Sequence, residues 1–235
     1  MQPKVSIVKC GNYNHEQVLN VLRQSIDLLG GIESFIKKGD RVLLKPNLLI
    51  GKSPDKAVTT HPSIIKAAIQ IAREAGGAPS IGDSPAVGST AKAAEKAEIA
   101  EMARSMDCPI VEFNRPVQAR EVKGRVFKNI EIDQAVLEAD VIINLPKWKT
   151  HAQMLLTLGV KNLFGCVPGP KKALWHLKAG EDRKLFAQVL VDIFQIIRPA
   201  LTILDGVTGM EGDGPSSGRS IALGLILASR DALSL

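Results

Sequence analysis

Cysteines, aromatic residues and long apolar runs are all scarce in this sequence. Its 235 residues include three widely separated cysteines, Cys10, Cys108 and Cys166, with no Cys-x-x-Cys pair and no Cys/His spacing of a metal site. This predicts a reduced chain with buried thiols. Aromatic residues make up only 4%, so Ile, Leu, Val and Ala must form most of the core. No apolar run reaches the roughly 18 to 20 residues that span a bilayer, so no membrane segment is predicted.

Several familiar motifs are absent as well. Residues 165–172 have Pro170 where a P-loop needs its second glycine and Lys172 where it needs Ser or Thr. No GxGxxG follows the first predicted strand, and the GxSxG of a nucleophile elbow does not occur. The sequence therefore does not support a P-loop NTPase, a standard dinucleotide-binding fold or an α/β-hydrolase.

The formal net charge of +6 favours anionic partners without choosing among them. The alternative, a scattered and solvated basic surface, stays open. Nucleic acid is disfavoured as a partner, because it requires a contiguous basic face with stacking aromatic residues. Residues 1–4 lead directly into a strand pattern, so we predict no signal peptide and a cytoplasmic protein.

Strand-length apolar runs alternate with segments of helical spacing along the chain, which predicts an α/β fold: a mostly parallel central sheet with helices on both faces. We interpret residues 1–235 as a single α/β domain with a small hairpin insertion near 120–128. Residues 231–235 have the pattern of a helix start, so we expect a chain truncated at its C-terminus. Strands are predicted at 5–10, 41–44, 78–82, 109–112, 140–144, 200–204 and 221–228, helices at 15–29, 62–75, 91–106, 133–138, 153–158, 161–164 and 183–197, and loops at 168–172 and 209–218.

Polar residues follow five of the predicted strands. Because the carboxyl ends of parallel strands share one edge of a sheet, we expect these side chains to converge. A single polar residue at a strand end is usually only a turn former, so the prediction depends on the whole group. The densest segment runs from Asn144 to His151. The predicted ligand-binding residues are Lys45, Asn47, Asp83, Ser84, Asn144, Lys149, Lys161, Asn162, Asp205 and Glu211.

Lysine and histidine carry the predicted chemistry. Lysines such as Lys147 either neutralise a carboxylate or phosphate or, if buried together, become bases or Schiff-base formers, because burial lowers their pKa. The alternative is that they extend into solvent. His61 and His151 are acid–base candidates since histidine titrates near neutrality, although His61 is equally suited to cap the helix that Pro62 begins. The predicted catalytic residues are His61, His151 and Lys147.

Two further features have open interpretations. Asp83, Asp205, Glu211 and Asp213 offer the oxygen ligands that a divalent cation prefers, but no pair has diagnostic spacing, so we predict no metal site. The Gly-rich segment 209–218 exposes backbone amides. It either cradles an anion or forms a lid over the site.

Six motifs, taken together and in order, resemble those of one protein family. They are Lys45-Pro46-Asn47-Leu48, Thr59-Thr60-His61-Pro62, Gly82-Asp83-Ser84-Pro85, Asn144-Leu145-Pro146-Lys147 with Lys149-Thr150-His151, Gly159-Val160-Lys161-Asn162-Leu163-Phe164-Gly165, and Asp205-Gly206 with Met210-Glu211-Gly212 and Gly214-Pro215. From about the first strand to the last residue, the chain resembles domain-of-unknown-function family 362, a widespread prokaryotic group. The resemblance implies an α/β domain without a settled activity, often joined to a ferredoxin-like module that binds [4Fe-4S] clusters through clustered cysteines.

This sequence lacks those clustered cysteines, because Cys10, Cys108 and Cys166 do not form the usual ligand run. The resemblance therefore implies a [4Fe-4S] cluster only through a C-terminal module or a partner outside this chain. The predicted partners are a small anionic molecule and a ferredoxin-like module or protein. Two functions follow as hypotheses: an enzyme of redox or small-anion metabolism linked to iron–sulfur proteins, or a non-catalytic module that binds a cofactor or metabolite.

Overall fold

The computed structural model describes residues 3–119, 126–127, 129–169, 171–180 and 182–235. The strands in these residues are β1 (Val5–Lys9), β2 (Arg41–Pro46), β3 (Ala78–Asp83), β4 (Ile110–Glu112), β5 (Pro116–Gln118), β6 (Glu131–Asp133), β7 (Val141–Leu145), β8 (Lys147–His151), β9 (Leu155–Thr157), β10 (Leu201–Glu211) and β11 (Arg219–Ser229). The helices are α1 (His15–Asp27), α2 (Pro62–Glu74), α3 (Thr90–Lys96), α4 (Ile99–Ser105), α5 (Gln134–Glu138), α6 (Gly159–Asn162), α7 (Lys171–Ala179) and α8 (Arg183–Ile197).

The main sheet has the strand order β1-β11-β10-β7-β2-β3-β4. Neighbouring strands from β10 through β7, β2 and β3 to β4 run parallel, whereas β11 is antiparallel to both β10 and β1. Strand β8 runs parallel to β10 beyond the end of β7, and β9 pairs with β8 in antiparallel fashion. The prediction of a mostly parallel α/β sheet is therefore confirmed.

Helices cover both faces of the sheet, and alternate residues of the central strands show this directly. Val42 and Leu44 of β2 pack into the core that contains α1 and α2, while Leu43 packs into the core that contains α8. Ile143 and Ile142 of β7 divide between the same two cores. Successive side chains of a strand point to opposite faces, so a strand buried on both sides must be apolar at every position. This explains the uninterrupted apolar runs in the sequence.

Some predicted elements differ from the structure. The helix predicted at 91–106 is two helices, because Glu98 adopts a left-handed conformation with φ of 59° between α3 and α4. Helical structure was predicted at 153–158, but β9 lies there, since β8 offers it a free edge for pairing. Residues 171–179 form α7 instead of continuing the predicted loop.

The segment at 209–218 was also predicted to be a loop throughout. Strand β10 in fact continues to Glu211, because β11 pairs with it as far as Glu211 opposite Arg219. The turn of the predicted hairpin near 120–128 lies outside the described residues. On either side of it, β5 and β6 pair in antiparallel fashion. In the described part of the chain, every helix is too short or too polar to cross a membrane.

Candidate functional site

Five lysines gather near the carboxyl edge of the parallel strands. Lys45 is the second-last residue of β2, Lys147 and Lys149 lie on β8, Lys161 lies on α6, and Lys172 is the second residue of α7. Lys45, Lys147 and Lys149 are at most 1% exposed, which is unusual for lysine unless its amine has partners. The partners of each amine therefore decide what each lysine does.

Lys45 and Asp83 form a buried ion pair at the ends of β2 and β3. The distance from Lys45 Nζ to Asp83 Oδ1 is 2.6 Å, and the Leu48 amide donates to Asp83 Oδ2 at 2.8 Å. Gly165 packs directly against this pair: a Cβ there would overlap Asp83 Oδ1 and lie 2.8 Å from Lys45 Nζ. Only glycine lets this segment approach the pair so closely.

Three asparagine amides tie α6 to the strand ends. Asn162 Nδ2 donates to Asn144 Oδ1 at 2.8 Å and to the Lys45 carbonyl at 3.1 Å. Asn162 Oδ1 accepts from Asn47 Nδ2 at 2.9 Å, and Asn144 Nδ2 donates to the Gly159 carbonyl at 2.8 Å. The predicted ligand-binding residues Asn144 and Asn162 thus use their amides within the protein. Their contacts position the helix that carries Lys161.

Lys149 is buried without a carboxylate partner in the described residues. Its Nζ donates to Asn47 Oδ1 and to the Val58 carbonyl, both at 2.6 Å. Burial, followed by the charges of Lys161 and Lys147, lowers the Lys149 pKa well below its ordinary value. The environment therefore disfavours the charged form of this amine, whose two hydrogen bonds go to neutral oxygens.

Lys147 belongs to a second buried polar cluster with Asp205, Tyr13 and His61. Its Nζ lies 2.8 Å from Asp205 Oδ2, which also accepts from the His61 backbone amide at 2.9 Å. Tyr13 donates its hydroxyl hydrogen to Asp205 Oδ1 at 2.8 Å, and its oxygen lies 2.7 Å from Lys147 Nζ. Burial lowers the pKa of Lys147, and the Asp205 carboxylate opposes that shift. Burial and Asp205 raise the pKa of Tyr13.

His61 caps α2, which was one of its two predicted roles. Its Nδ1 accepts from the Ser63 amide at 3.1 Å, and its ring stacks on Tyr13 with a centroid separation of 3.6 Å. Burial lowers the His61 pKa to about 4, so the ring is neutral at pH 7. Sequence analysis overlooked Tyr13, the single tyrosine of the chain. Its position between two asparagines carried no signal of a contact with β10.

A cavity of about 320 Å³ opens beside the Lys45–Asp83 pair. Lys161 lines this cavity, and its amine makes no hydrogen bond or ion pair with any described residue. Its Nζ lies 5.8 Å from the ring centre of Phe164 and 5.7 Å from that of Phe186. Burial lowers its pKa to about 8. The polar residues that line the cavity are Asn47, Asp83, Ser84, His151, Lys161, Asn162 and Lys172.

Lys172 closes one wall of this cavity. Its Nζ donates to the Ser84 carbonyl, to Ser84 Oγ at 2.8 Å and to the Pro85 carbonyl at 2.8 Å, and burial lowers its pKa to about 8. Ser84 and Lys172 also line a neighbouring cavity of about 530 Å³. Sequence analysis missed Lys172 because its segment fails as a P-loop. The signal in the sequence that could have identified Lys172 is the pair of adjacent lysines that follows Gly169-Pro170.

Two predicted site residues remain, His151 and Glu211, and they lie in different parts of the structure. His151 lines the cavity, and its Nδ1 accepts from the Gln153 and Met154 amides at 3.1 and 3.3 Å, which assigns the ring hydrogen to Nε2 when the ring is neutral. Glu211 lies apart on the β10–β11 hairpin, where it pairs with Arg219 at 2.6 Å. Lys147, His61 and Asp205 lie in the buried polar cluster with Tyr13.

The cysteines do not fit an iron–sulfur cluster. Cys10 and Cys108 are buried in the core on one face of the sheet and Cys166 in the core on the other. Among the residues that the structure describes, no group of three or more His, Cys, Asp or Glu side chains could hold a metal ion. Any such group would have to come from outside these residues.

The pKa of Lys161 makes stability depend on pH. The unfolded chain, with an ordinary lysine pKa of 10.5, binds more protons than the folded chain between pH 8 and 10.5, so stability rises with pH in that window. We expect the free energy of unfolding of the wild type to rise relative to that of Lys161→Met, by at most about 1.4 kcal/mol per pH unit. Urea unfolding at a series of pH values measures this difference. Parallel pH profiles for the two proteins would contradict it.

The fold and site define an α/β protein with a lysine-lined cavity at the carboxyl edge of its parallel strands. The chain belongs to the family described as domain of unknown function (DUF362), whose model matches residues 42–235. The family resemblance carried by the sequence motifs is thereby confirmed.

Two proteins illustrate its similarities. The chain is 44% identical over 235 residues to the thylakoid-associated protein sll1697 of Synechocystis sp. (strain ATCC 27184 / PCC 6803 / Kazusa), covering all of this chain and 73% of that protein. Its fold is similar to that of the lactate racemase apoprotein from Thermoanaerobacterium thermosaccharolyticum, with a TM-score of 0.57 at 10% identity. That match covers 96% of this chain, which spans about 54% of the racemase chain.

Proposed function

We propose that this chain binds a small carboxylate or phosphate anion in the 320 Å³ cavity. The observation that carries the proposal is Lys161, which lines the cavity and whose amine has no hydrogen bond or ion pair among the described residues. Three donors of an ammonium group on one cavity wall suit a carboxylate or phosphate oxygen.

The charges around the cavity support an anionic ligand. Asp83 is neutralised by Lys45, so the carboxylate does not oppose a bound anion. Lys161 and Lys172, both with a pKa of about 8, remain largely protonated at pH 7. A bound anion would further favour their charged forms. The affinity is therefore expected to fall as the pH rises above about 8.

Lys161→Met is expected to weaken the binding of inorganic phosphate or lactate by about tenfold or more. The reason is the loss of a charge-assisted hydrogen bond, which contributes roughly 1.5–3 kcal/mol. Isothermal titration calorimetry at pH 7 measures both anions; lactate is included because the structural neighbour is named for it.

Lys96→Met provides the matched control, because Lys96 is an exposed lysine at the end of α3. It makes the same change in net charge without altering the cavity. Equal affinities of Lys161→Met, Lys96→Met and wild type would overturn the proposal.

The catalytic and non-catalytic hypotheses share this site. His151 contributes an imidazole to the cavity, which favours an enzyme that moves protons on the bound anion, and a partner with a [4Fe-4S] module would supply redox chemistry from outside this chain. Ligand affinity without turnover in the wild type would instead favour a binding module. His151→Gln separates the two, since only the enzyme predicts a loss of product formation.

A further inference from the structure

The Lys161 amine differs from those of the four other lysines at this edge. Lys45 pairs with Asp83, and Lys147 pairs with Asp205. Lys149 donates to two oxygens and Lys172 to three. Among the described residues, only Lys161 in this group has an amine without a polar partner, and Lys161 lines a cavity large enough for a small molecule.

The surroundings of Lys161 favour its neutral form. The faces of Phe164 and Phe186, within 6 Å of Nζ, attract the ammonium form, but burial disfavours it and no carboxylate of the described residues forms an ion pair with this amine. Asp83 lines the same cavity, but Lys45 Nζ and the Leu48 amide already occupy its oxygens. A pKa of about 8 agrees with this arrangement. A partly desolvated, neutral lysine amine is the form that attacks carbonyl carbons.

We propose that Lys161 forms a reversible imine with a small anionic aldehyde or ketone. This inference rests on the proposed anion-binding function and narrows the ligand to one that also has a carbonyl group. The amine nitrogen bonds to the carbonyl carbon, and the carbonyl oxygen leaves as water with both amine hydrogens. No oxidant, reductant or metal is required for this condensation.

Ser84 supplies a hydrogen-bond donor in the same cavity. Its Oγ accepts from Lys172 Nζ at 2.8 Å and from the Gly169 amide at 3.2 Å. Its own hydroxyl hydrogen has no acceptor among the described residues, so it can donate to a carbonyl oxygen. Such a donor polarises the carbonyl for attack by the amine.

Borohydride trapping tests the imine. The wild-type chain is incubated at pH 8 with pyruvate or, in a second arm, glycolaldehyde phosphate, then reduced, and each lysine is quantified by peptide mass spectrometry. At this pH the neutral fraction of a lysine with a pKa of about 8 exceeds that of an ordinary exposed lysine by about 100-fold. We therefore expect Lys161 to be labelled at least about tenfold faster than exposed Lys96. The arm with the larger ratio of Lys161 labelling to Lys96 labelling identifies the ligand as a carboxylate or a phosphate, since Lys96 corrects for the different reactivities of a ketone and an aldehyde.

Two comparisons make the result decisive. Lys161→Arg keeps the positive charge but cannot form the imine, so its adduct should be lost, whereas Lys96→Arg should leave labelling at Lys161 unchanged. Excess phosphate should protect Lys161 in the wild type, a readout that does not depend on the folding of any variant. Labelling of Lys161 no faster than that of Lys96, in a protein that binds phosphate, would overturn the imine but not the anion site. Absence of both phosphate and lactate binding in the wild type would instead overturn the proposed function.

Discussion

Asp205→Ala is expected to lower the free energy of unfolding by about 3–5 kcal/mol, because it leaves the buried Lys147 ammonium without its counterion. Asp205 is completely buried and Lys147 is 1% exposed, so water does not replace the lost carboxylate. The Tyr13 hydroxyl and the His61 backbone amide lose their acceptor at the same time. The substitution thus loosens the contacts of β10 with the N-terminal segment and with the start of α2.

Urea unfolding of the variant measures this loss, with Asp213→Ala as the matched control. Asp213 is exposed, so the same chemical change there should have an effect within about 0.5 kcal/mol of wild type. The double variant Lys147→Met/Asp205→Leu should be clearly more stable than Asp205→Ala, since removing both charges leaves none unpaired in the core. Equal stabilities of Asp205→Ala and Asp213→Ala would show that Lys147 does not depend on this ion pair.

Gly165→Ala is expected to destabilise the fold by about 3 kcal/mol and to abolish phosphate binding. The added methyl group would overlap Asp83 Oδ1 and crowd Lys45 Nζ, which separates the buried ion pair beside the cavity. The Gly165 carbonyl also accepts from the Ser84 amide at 2.9 Å, so a shift of this segment moves a cavity wall. Urea unfolding and phosphate titration of the same preparation measure the two effects.

Gly11→Ala is the control for Gly165→Ala. A Cβ at Gly11 would meet no atom within 4 Å, and neither glycine has a positive φ. The two substitutions therefore differ in the space available and not in backbone strain. Wild-type stability and phosphate affinity in Gly165→Ala would contradict the close packing that the structure shows at this position.

Part of the site was predictable because strand ends follow from local pattern. Lys45, Asp83 and Asn144 end apolar runs in the sequence, and parallel pairing of β2 with β3 and β7 places these ends along one edge. Lys172 and Tyr13 were not predictable in this way. Tyr13 contacts Asp205 across 192 residues, and Lys172 contacts Ser84 across 88, and neither contact leaves a periodic signal.

Strand β8 was likewise not predictable from local sequence. Residues 147–151 follow Pro146 and have the composition of a polar loop. They form a strand because β10 extends past the end of β7 and offers its edge, with Lys147 opposite Asp205 and Lys149 opposite Met210. Tertiary pairing therefore outweighs local propensity here.

The sequence by itself determined the α/β class, the family and the edge of the sheet where polar residues gather, because all three depend on the order and spacing of residues. Only the tertiary structure decided that Lys45 and Lys147 are neutralised while Lys161 faces a cavity without a polar partner among the described residues. The physical reason is that the state of a buried amine depends on the atoms within a few ångströms of it. Those atoms come from strands and helices that are distant in the chain, so the five lysines acquire different roles.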